Sequence, residues 1–278
     1  WNLMFHGRRY LAWSPEKALA ELEPLLARKV EKILFFDSFI GTAERMLAIG
    51  EQLARRGVGW AIEDGCRADC HSTADFFRGL DETGCTHVAF GAESGSPRIL
   101  DLVRKDISVD DLLRSAEIRR PFRVKARYQW MTGVPTETRE DTLATIELID
   151  RISRANPRSA HSYELYLPYP GNELYNMACQ SGWQPPRDLE GWGSYRWQGR
   201  YPYHREGTWY YKSVQYSNFF RQYRRLAEVS AFSRNIRPLF QLANLMFRPT
   251  AEWRWRTRCF GRPWEYQLAE SFRGRMER

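Results

Sequence analysis

Up to about residue 175, apolar positions fall alternately into three-or-four-residue spacing and into short unbroken runs, the pattern of helices alternating with buried strands. Ser14 and Pro15 start a first helix as cap and first-turn proline. Ala18, Leu19, Leu22, Leu25 and Leu26 keep helical spacing, and Pro24 is expected to kink it. Ile33-Leu34-Phe35-Phe36 reads as a short buried strand. A second helix is predicted over about 42–56, with Met46, Ile49, Gly50 and Leu53 on one face and Gly57 closing it. Further strands are predicted over 59–63, 86–90, 122–131 and 162–167. The helices between them cover 73–83, a stretch opened by Ser108-Val109-Asp110-Asp111, and one capped by Thr138 with Asp141.

Units of roughly 25 to 35 residues built this way imply a parallel sheet with right-handed crossovers. Periodicity does not separate a closed or partly closed barrel from an open doubly wound sheet. In either, the turns after the strands lie at one end, where ligands are held. Three such turns are rich in Gly, Pro and acidic residues: Phe90-Gly91-Ala92-Glu93-Ser94-Gly95-Ser96, Gly133-Val134-Pro135-Thr136-Glu137-Thr138 and Pro168-Tyr169-Pro170-Gly171-Asn172-Glu173-Leu174. Glycine lets backbone approach a ligand closely, and carboxylates accept from hydroxyl or amino groups. Asp37, Glu93, Gly133, Glu137 and Pro170 are therefore candidates to line one site. The plainer reading makes Glu93-Ser94 a helix cap and Gly133-Val134-Pro135 a tight turn.

The net charge of +8 permits an anionic partner without requiring one. No apolar run approaches the roughly 18 to 20 residues that span a bilayer, and no signal peptide is visible. Five cysteines without regular spacing argue for a reducing compartment, so a cytoplasmic location is expected. Cys66 and Cys70 carry the first interval of a cluster motif, but the next required position is Thr73, and no metal ligand is assigned in the chain.

From about Gly182 the sequence turns aromatic and arginine-rich and holds seven of the eleven tryptophans: Trp183, Trp192, Trp197, Trp209, Trp253, Trp255 and Trp264. Helices are predicted over 217–229 and 238–247, and Trp253-Arg254-Trp255-Arg256-Thr257-Arg258 alternates like a basic strand or loop. The rings either form a platform that stacks a planar substrate or nucleobase, or cover the open side of a barrel under arginine stems.

One family joins these segments. Ser14-Pro15-Glu16, Phe35-Phe36-Asp37, Gly91-Ala92-Glu93-Ser94-Gly95-Ser96, Lys105, the run from Gly133 to Thr142, and Pro168-Tyr169-Pro170-Gly171 resemble, in order and separation, the radical S-adenosylmethionine superfamily. The closest likeness is to its branch that often carries an N-terminal cobalamin-binding domain. The resemblance implies a partial (β/α) TIM-like barrel over 1–182 lacking its first strand, followed by an aromatic, arginine-rich, mostly helical extension over 183–278 acting as lid or barrel cover. It implies S-adenosylmethionine cleaved reductively at a 4Fe-4S cluster, an electron donor such as flavodoxin or ferredoxin, and cobalamin in an upstream domain serving methyl transfer to a small-molecule or unknown substrate. The family's Cys-x-x-x-Cys-x-x-Cys loop is absent. Trp1-Asn2 resemble the residues that follow its last cysteine, so the chain reads as a fragment, inactive alone, with cluster ligands expected upstream of Trp1.

Carried over by position, Glu93 and Ser94 would contact the cofactor's ribose or amino group. Gly133, Val134, Pro135 and Glu137 would shape the adenine site, and Lys105 and Arg127 would pair with the methionine carboxylate. Asp37 stands at the first of a frequent Asp pair, with Ser38 in the place of the second. The alternatives are an RNA-binding module using the Arg/Trp-rich region and a clusterless structural barrel.

Overall fold

The computed structural model describes residues 11–194, 208–228, 237–261 and 263–267. Trp1-Asn2, Trp197 and Val229 lie outside them. Five strands, β1 (Lys32–Phe35), β2 (Gly59–Cys66), β3 (Cys85–Glu93), β4 (Lys125–Thr132) and β5 (Ser159–Leu165), form one sheet in the order β1-β2-β3-β4-β5. Each strand lies beside its successor in sequence, and β1 with β2 and β2 with β3 run parallel. The sheet is parallel and unclosed, the α/β alternation that pattern and resemblance both implied.

The helices start where side chains can cap them. In α1 (Pro15–Leu26) the Ser14 hydroxyl accepts from Lys17 N at 3.3 Å, and in α2 (Ala43–Arg55) Thr42 accepts from Arg45 N at 3.3 Å. A one-turn helix α3 (Ala68–His71) precedes α4 (Ala74–Glu82), where Thr73 accepts from Phe76 N at 3.1 Å. After the short α5 (Pro97–Leu102), a capping box of Ser108 and Asp111 opens α6 (Val109–Arg119). The long α7 (Arg139–Ala155) links β4 to β5.

Contacts divide the chain into two compact units, the described parts of Trp1–Gln129 with Ala144–Ala160 and of Trp130–Leu143 with His161–Arg278. The first unit's core is aromatic. Phe90 stacks on Tyr128 at 5.6 Å between centroids and meets Phe77 edge-on, and the Trp60 indole N–H donates to Thr83 O at 2.8 Å. Met46, Ile49, Gly50 and Leu53 form the buried face of α2 as the sequence predicts. Gly50 is needed there, since a Cβ would sit 2.4 Å from the Trp60 ring. Phe36, expected within a buried strand, is 71% exposed, because β1 lies at the sheet's edge and ends one residue earlier.

In the second unit, Asn172 caps α8 (Glu173–Gln180), and α9 (Leu189–Ser194) carries Trp192, stacked on Tyr169 at 6.3 Å. Beyond these, α10 (Thr208–Glu228) packs against α11 (Arg237–Thr257) around Phe220, Ala251 and Tyr266. The helix predicted from 217 starts nine residues earlier, and the one predicted over 238–247 runs on through Pro249. Residues Trp253 to Thr257 are therefore helical, not a strand or loop. The alternation of Trp with Arg suggested a period of two, but Ala251, Arg254 and Trp255 are the buried positions, which is helical spacing. Arg254 pairs with Glu265 out of solvent, and the Arg221 guanidinium lies 4.4 Å above the Trp255 ring. Arginine and tryptophan are here largely partners of each other.

Candidate functional site

β3 ends in a strained turn. Ser94 N donates to Ala92 O at 2.8 Å across Glu93, whose φ is 59°, a conformation non-glycine residues adopt at a cost of about 1–3 kcal/mol. This turn presents the Glu93 carboxylate to Lys105, Nζ to Oε1 at 2.7 Å, with each side chain about a quarter exposed. Lys105 follows α5 between two more left-handed residues, Arg104 at φ 52° and Asp106 at φ 53°. Gly91 makes room for the pair, since a Cβ there would lie 2.6 Å from Lys105 Nζ and 3.0 Å from Glu93 Oε1. Glu93 and Lys105, predicted separately, are thus brought together.

Ser94 is buried and its hydroxyl is engaged inside the fold. It lies 3.1 Å from Thr145 Oγ1 and accepts from Ser96 N at 3.1 Å, at the entry to α5. Asp37 is exposed after β1, and its Oδ1 accepts from Ser38 N at 2.7 Å, bracing its own turn.

Arg127 opens onto a network that sequence reasoning missed. Its guanidinium donates to Glu63 Oε2 at 2.8 Å and to Glu63 O at 2.9 Å, while Glu63 Oε1 lies 2.9 Å from His87 Nε2. Glu63 and His87 are 3% and 2% exposed, so three side chains from β2, β3 and β4 join in a nearly dry layer on the sheet. Burial pushes the Glu63 carboxyl up, but the His87 hydrogen bond and the Arg127 charge outweigh it and hold the group below the usual carboxylate range. A carboxylate and an imidazole in strands buried on both faces were the available signal.

The second unit holds Gly133, Val134, Pro135 and Glu137. Glu137 folds back on its own turn: its carboxylate accepts from the Gly133 and Val134 amides and from the Thr132 and Thr142 hydroxyls, the last at 2.8 Å. Gly133, at φ 78°, and Thr136, at φ 68°, make the turn possible, and Tyr211 donates its hydroxyl to Glu137 O at 3.2 Å. Burial lifts the Glu137 carboxyl to about 7 against these donors. A folded value above the unfolded one means stability present at acid pH and lost as pH climbs from about 4.3 through 7. The melting temperature is expected to fall across that window, and Glu137→Gln is expected to flatten this part of the profile.

No group of three His, Cys, Asp or Glu side chains among the described residues is arranged to hold a metal ion. Cys66 and Cys85 are buried, which pushes the first thiol well up and the second to about 12, so neither is a ready thiolate ligand. The His71 ring is committed to Gly41 O, at 2.7 Å, and to Arg67 N. The described cysteines do not fit a 4Fe-4S cluster. No helix among the described residues is long and apolar enough to cross a membrane.

No protein-family model matches the chain. Over 176 residues it is 27% identical to an uncharacterized methyltransferase of Pyrococcus horikoshii, covering 62% of this chain and 37% of that protein. Over 123 residues it is 29% identical to the tRNA uridine(34) acetyltransferase of Dehalococcoides mccartyi, covering 44% of this chain and 26% of that one. The chain thus spans well under half the length of the curated relatives it matches. Among solved structures, the radical S-adenosylmethionine methyltransferase TsrM of Kitasatospora setae, with cobalamin and a [4Fe-4S] cluster bound, overlaps at a TM-score of 0.48 and 16% identity, covering 63% of this chain and 34% of that one. The coproporphyrinogen III oxidase HemN of Escherichia coli, described as a radical SAM enzyme, overlaps at 0.45 and 14% identity, covering 59% and 39%. Radical S-adenosylmethionine enzymes are the class these structures name, and the class the ordered motifs resemble. Among the motif segments, Asp37 follows β1, the run from Gly91 closes β3 and the run from Gly133 follows β4 directly.

Proposed function

We propose that this chain is the S-adenosylmethionine-positioning core of a radical S-adenosylmethionine enzyme. The observation that carries the reading is the Glu93–Lys105 pair, assembled by a strained turn and a side-chain-free Gly91 at the strand end where the motif resemblance puts the cofactor. When bound and reduced by one electron, the cofactor supplies a 5'-deoxyadenosyl radical and methionine. Glu93 accepts from a ribose hydroxyl or the amino group, and Lys105 and Arg127 offer charge to the carboxylate. Cluster ligands, and any cobalamin, are sought outside the described residues. The names of the Pyrococcus and Kitasatospora proteins support methyl transfer as the reaction class.

The test is anaerobic reduction of the full-length native protein with S-adenosylmethionine. Release of 5'-deoxyadenosine is expected; its absence from cluster-loaded protein contradicts the reading and shifts weight to a structural sheet. A Gly91→Ala variant is expected to push Lys105 off Glu93, leaving the melting temperature nearly unchanged because only a flexible side-chain end must move, while weakening cofactor binding severalfold. The RNA-binding alternative is less well supported, since Trp255 is buried and Arg221 lies over its ring. Salt-sensitive RNA binding that survives loss of Glu93 would restore it.

A further inference from the structure

α11 presents an apolar stripe to solvent. Leu242, Leu245, Met246, Pro249 and Trp253 recur at steps of three and four residues and so share one face of the helix. All five are exposed, from 47% at Trp253 to 72% at Leu245 among the four large side chains. The opposite face is already packed. Asn244, Ala251 and Trp255 are buried, Asn244 Nδ2 donates to Phe220 O at 2.6 Å, and the Phe247 ring lies 5.1 Å from that of Phe220 on α10. The helix cannot roll to hide the stripe without giving up this packing. Single apolar residues on a surface need no explanation, but a continuous stripe along about three turns marks a contact surface.

The charge around the stripe indicates what it meets. Residues 237–278 contain nine arginines and four glutamates with no lysine or aspartate, so they carry +5 of the chain's net +8. Glu252 is the only acid in α11, and both Arg221, at 2.9 Å, and Arg248, at 3.7 Å, neutralise it. Arg256 is exposed and falls on the stripe itself, one turn past Trp253. An apolar strip in a positive field is complementary to a surface that is negative outside and apolar within, which is what an anionic bilayer offers. A second copy would set the same positive excess against itself. Trp253 fits the bilayer too, since an indole favours the boundary between headgroups and acyl chains. As α11 is not apolar enough to cross a membrane, the contact is with the surface.

We propose that the outward face of α11 docks on an anionic lipid bilayer. Leu242, Leu245, Met246, Pro249 and Trp253 enter the boundary between headgroups and acyl chains, and Arg256 reaches out to the lipid phosphates. The contact holds the protein at the surface without spanning it. It is independent of the cofactor reading, because no residue of the strand-end site takes part.

The test is co-sedimentation of the full-length native protein with vesicles of phosphatidylcholine, alone or mixed with phosphatidylserine. Wild type is expected to pellet with the mixed vesicles at low salt, to partition about tenfold less onto phosphatidylcholine alone, and to be released as salt rises. Leu245→Glu combined with Met246→Glu places two acids on the exposed stripe. The melting temperature is expected to hold, and partition onto the mixed vesicles to fall about tenfold or more. Protein that stays in solution with both kinds of vesicle overturns the proposal. So does a double variant that binds as wild type does, which would assign the binding to basic residues elsewhere. Light scattering of the two proteins addresses a second copy: the same oligomeric state is expected for both, and a wild-type dimer that the double variant converts to monomer overturns the bilayer assignment.

Discussion

Glu63→Ala is expected to lower the unfolding free energy by about 3–5 kcal/mol, measured by urea denaturation, the cost of leaving a buried charge without its partner. Arg127 would keep its bond to Glu63 O but lose the carboxylate, and His87 would lose its partner in a layer where Glu63 and His87 are almost wholly enclosed. The same logic predicts that Glu63→Ala combined with Arg127→Met loses less than the sum of the single changes, because the two side chains share one ion pair. A single-variant loss below about 1 kcal/mol, the range of exposed ion pairs, would show that water reaches this layer.

Gly95→Ala should be nearly as damaging, for steric reasons. A Cβ at Gly95 would stand 2.6 Å from both Ala144 O and Thr145 Cα, which are backbone atoms of a helix that cannot swing aside. The same approach lets Gly95 N donate to Thr145 Oγ1 at 2.9 Å and sets Ser94 against that hydroxyl. Forcing the elements apart is expected to cost about 1–3 kcal/mol, or more where backbone must shift, and to drop the melting temperature by several degrees. Gly57→Ala is the control. Gly57 also has a left-handed φ, 70°, but open space around it, so only the roughly 1 kcal/mol conformational penalty applies. Equal losses at the two positions would contradict the packing argument.

The α/β order was legible because its signals are local. Caps at Ser14, Thr42, Thr73 and Ser108 mark helix starts, and short apolar runs mark strands that a parallel sheet buries. The helical end of α11 was not, since alternating Trp and Arg fit a strand on size while burial follows contacts with α10. Site residues divide in the same way. Glu93 and Lys105 stood out by motif, but their ion pair depends on three left-handed residues that composition does not reveal. Glu63 and His87 are distant in sequence and meet only through strand pairing. Glu137 was visible as an acid in a ligand-binding segment, yet its oxygens are bonded to the turn that bears it, a geometry set by Gly133 and Thr136.

The central claim is that the end of β3 holds S-adenosylmethionine through Glu93 and Lys105. Equilibrium dialysis of radiolabelled S-adenosylmethionine against the native protein, its Glu93→Gln variant and its Lys105→Met variant tests it most directly. The account predicts saturable binding by wild type and losses of about tenfold or more in each variant at unchanged melting temperature, as expected for removal of charge-assisted contacts. Binding of equal strength in all three would contradict it.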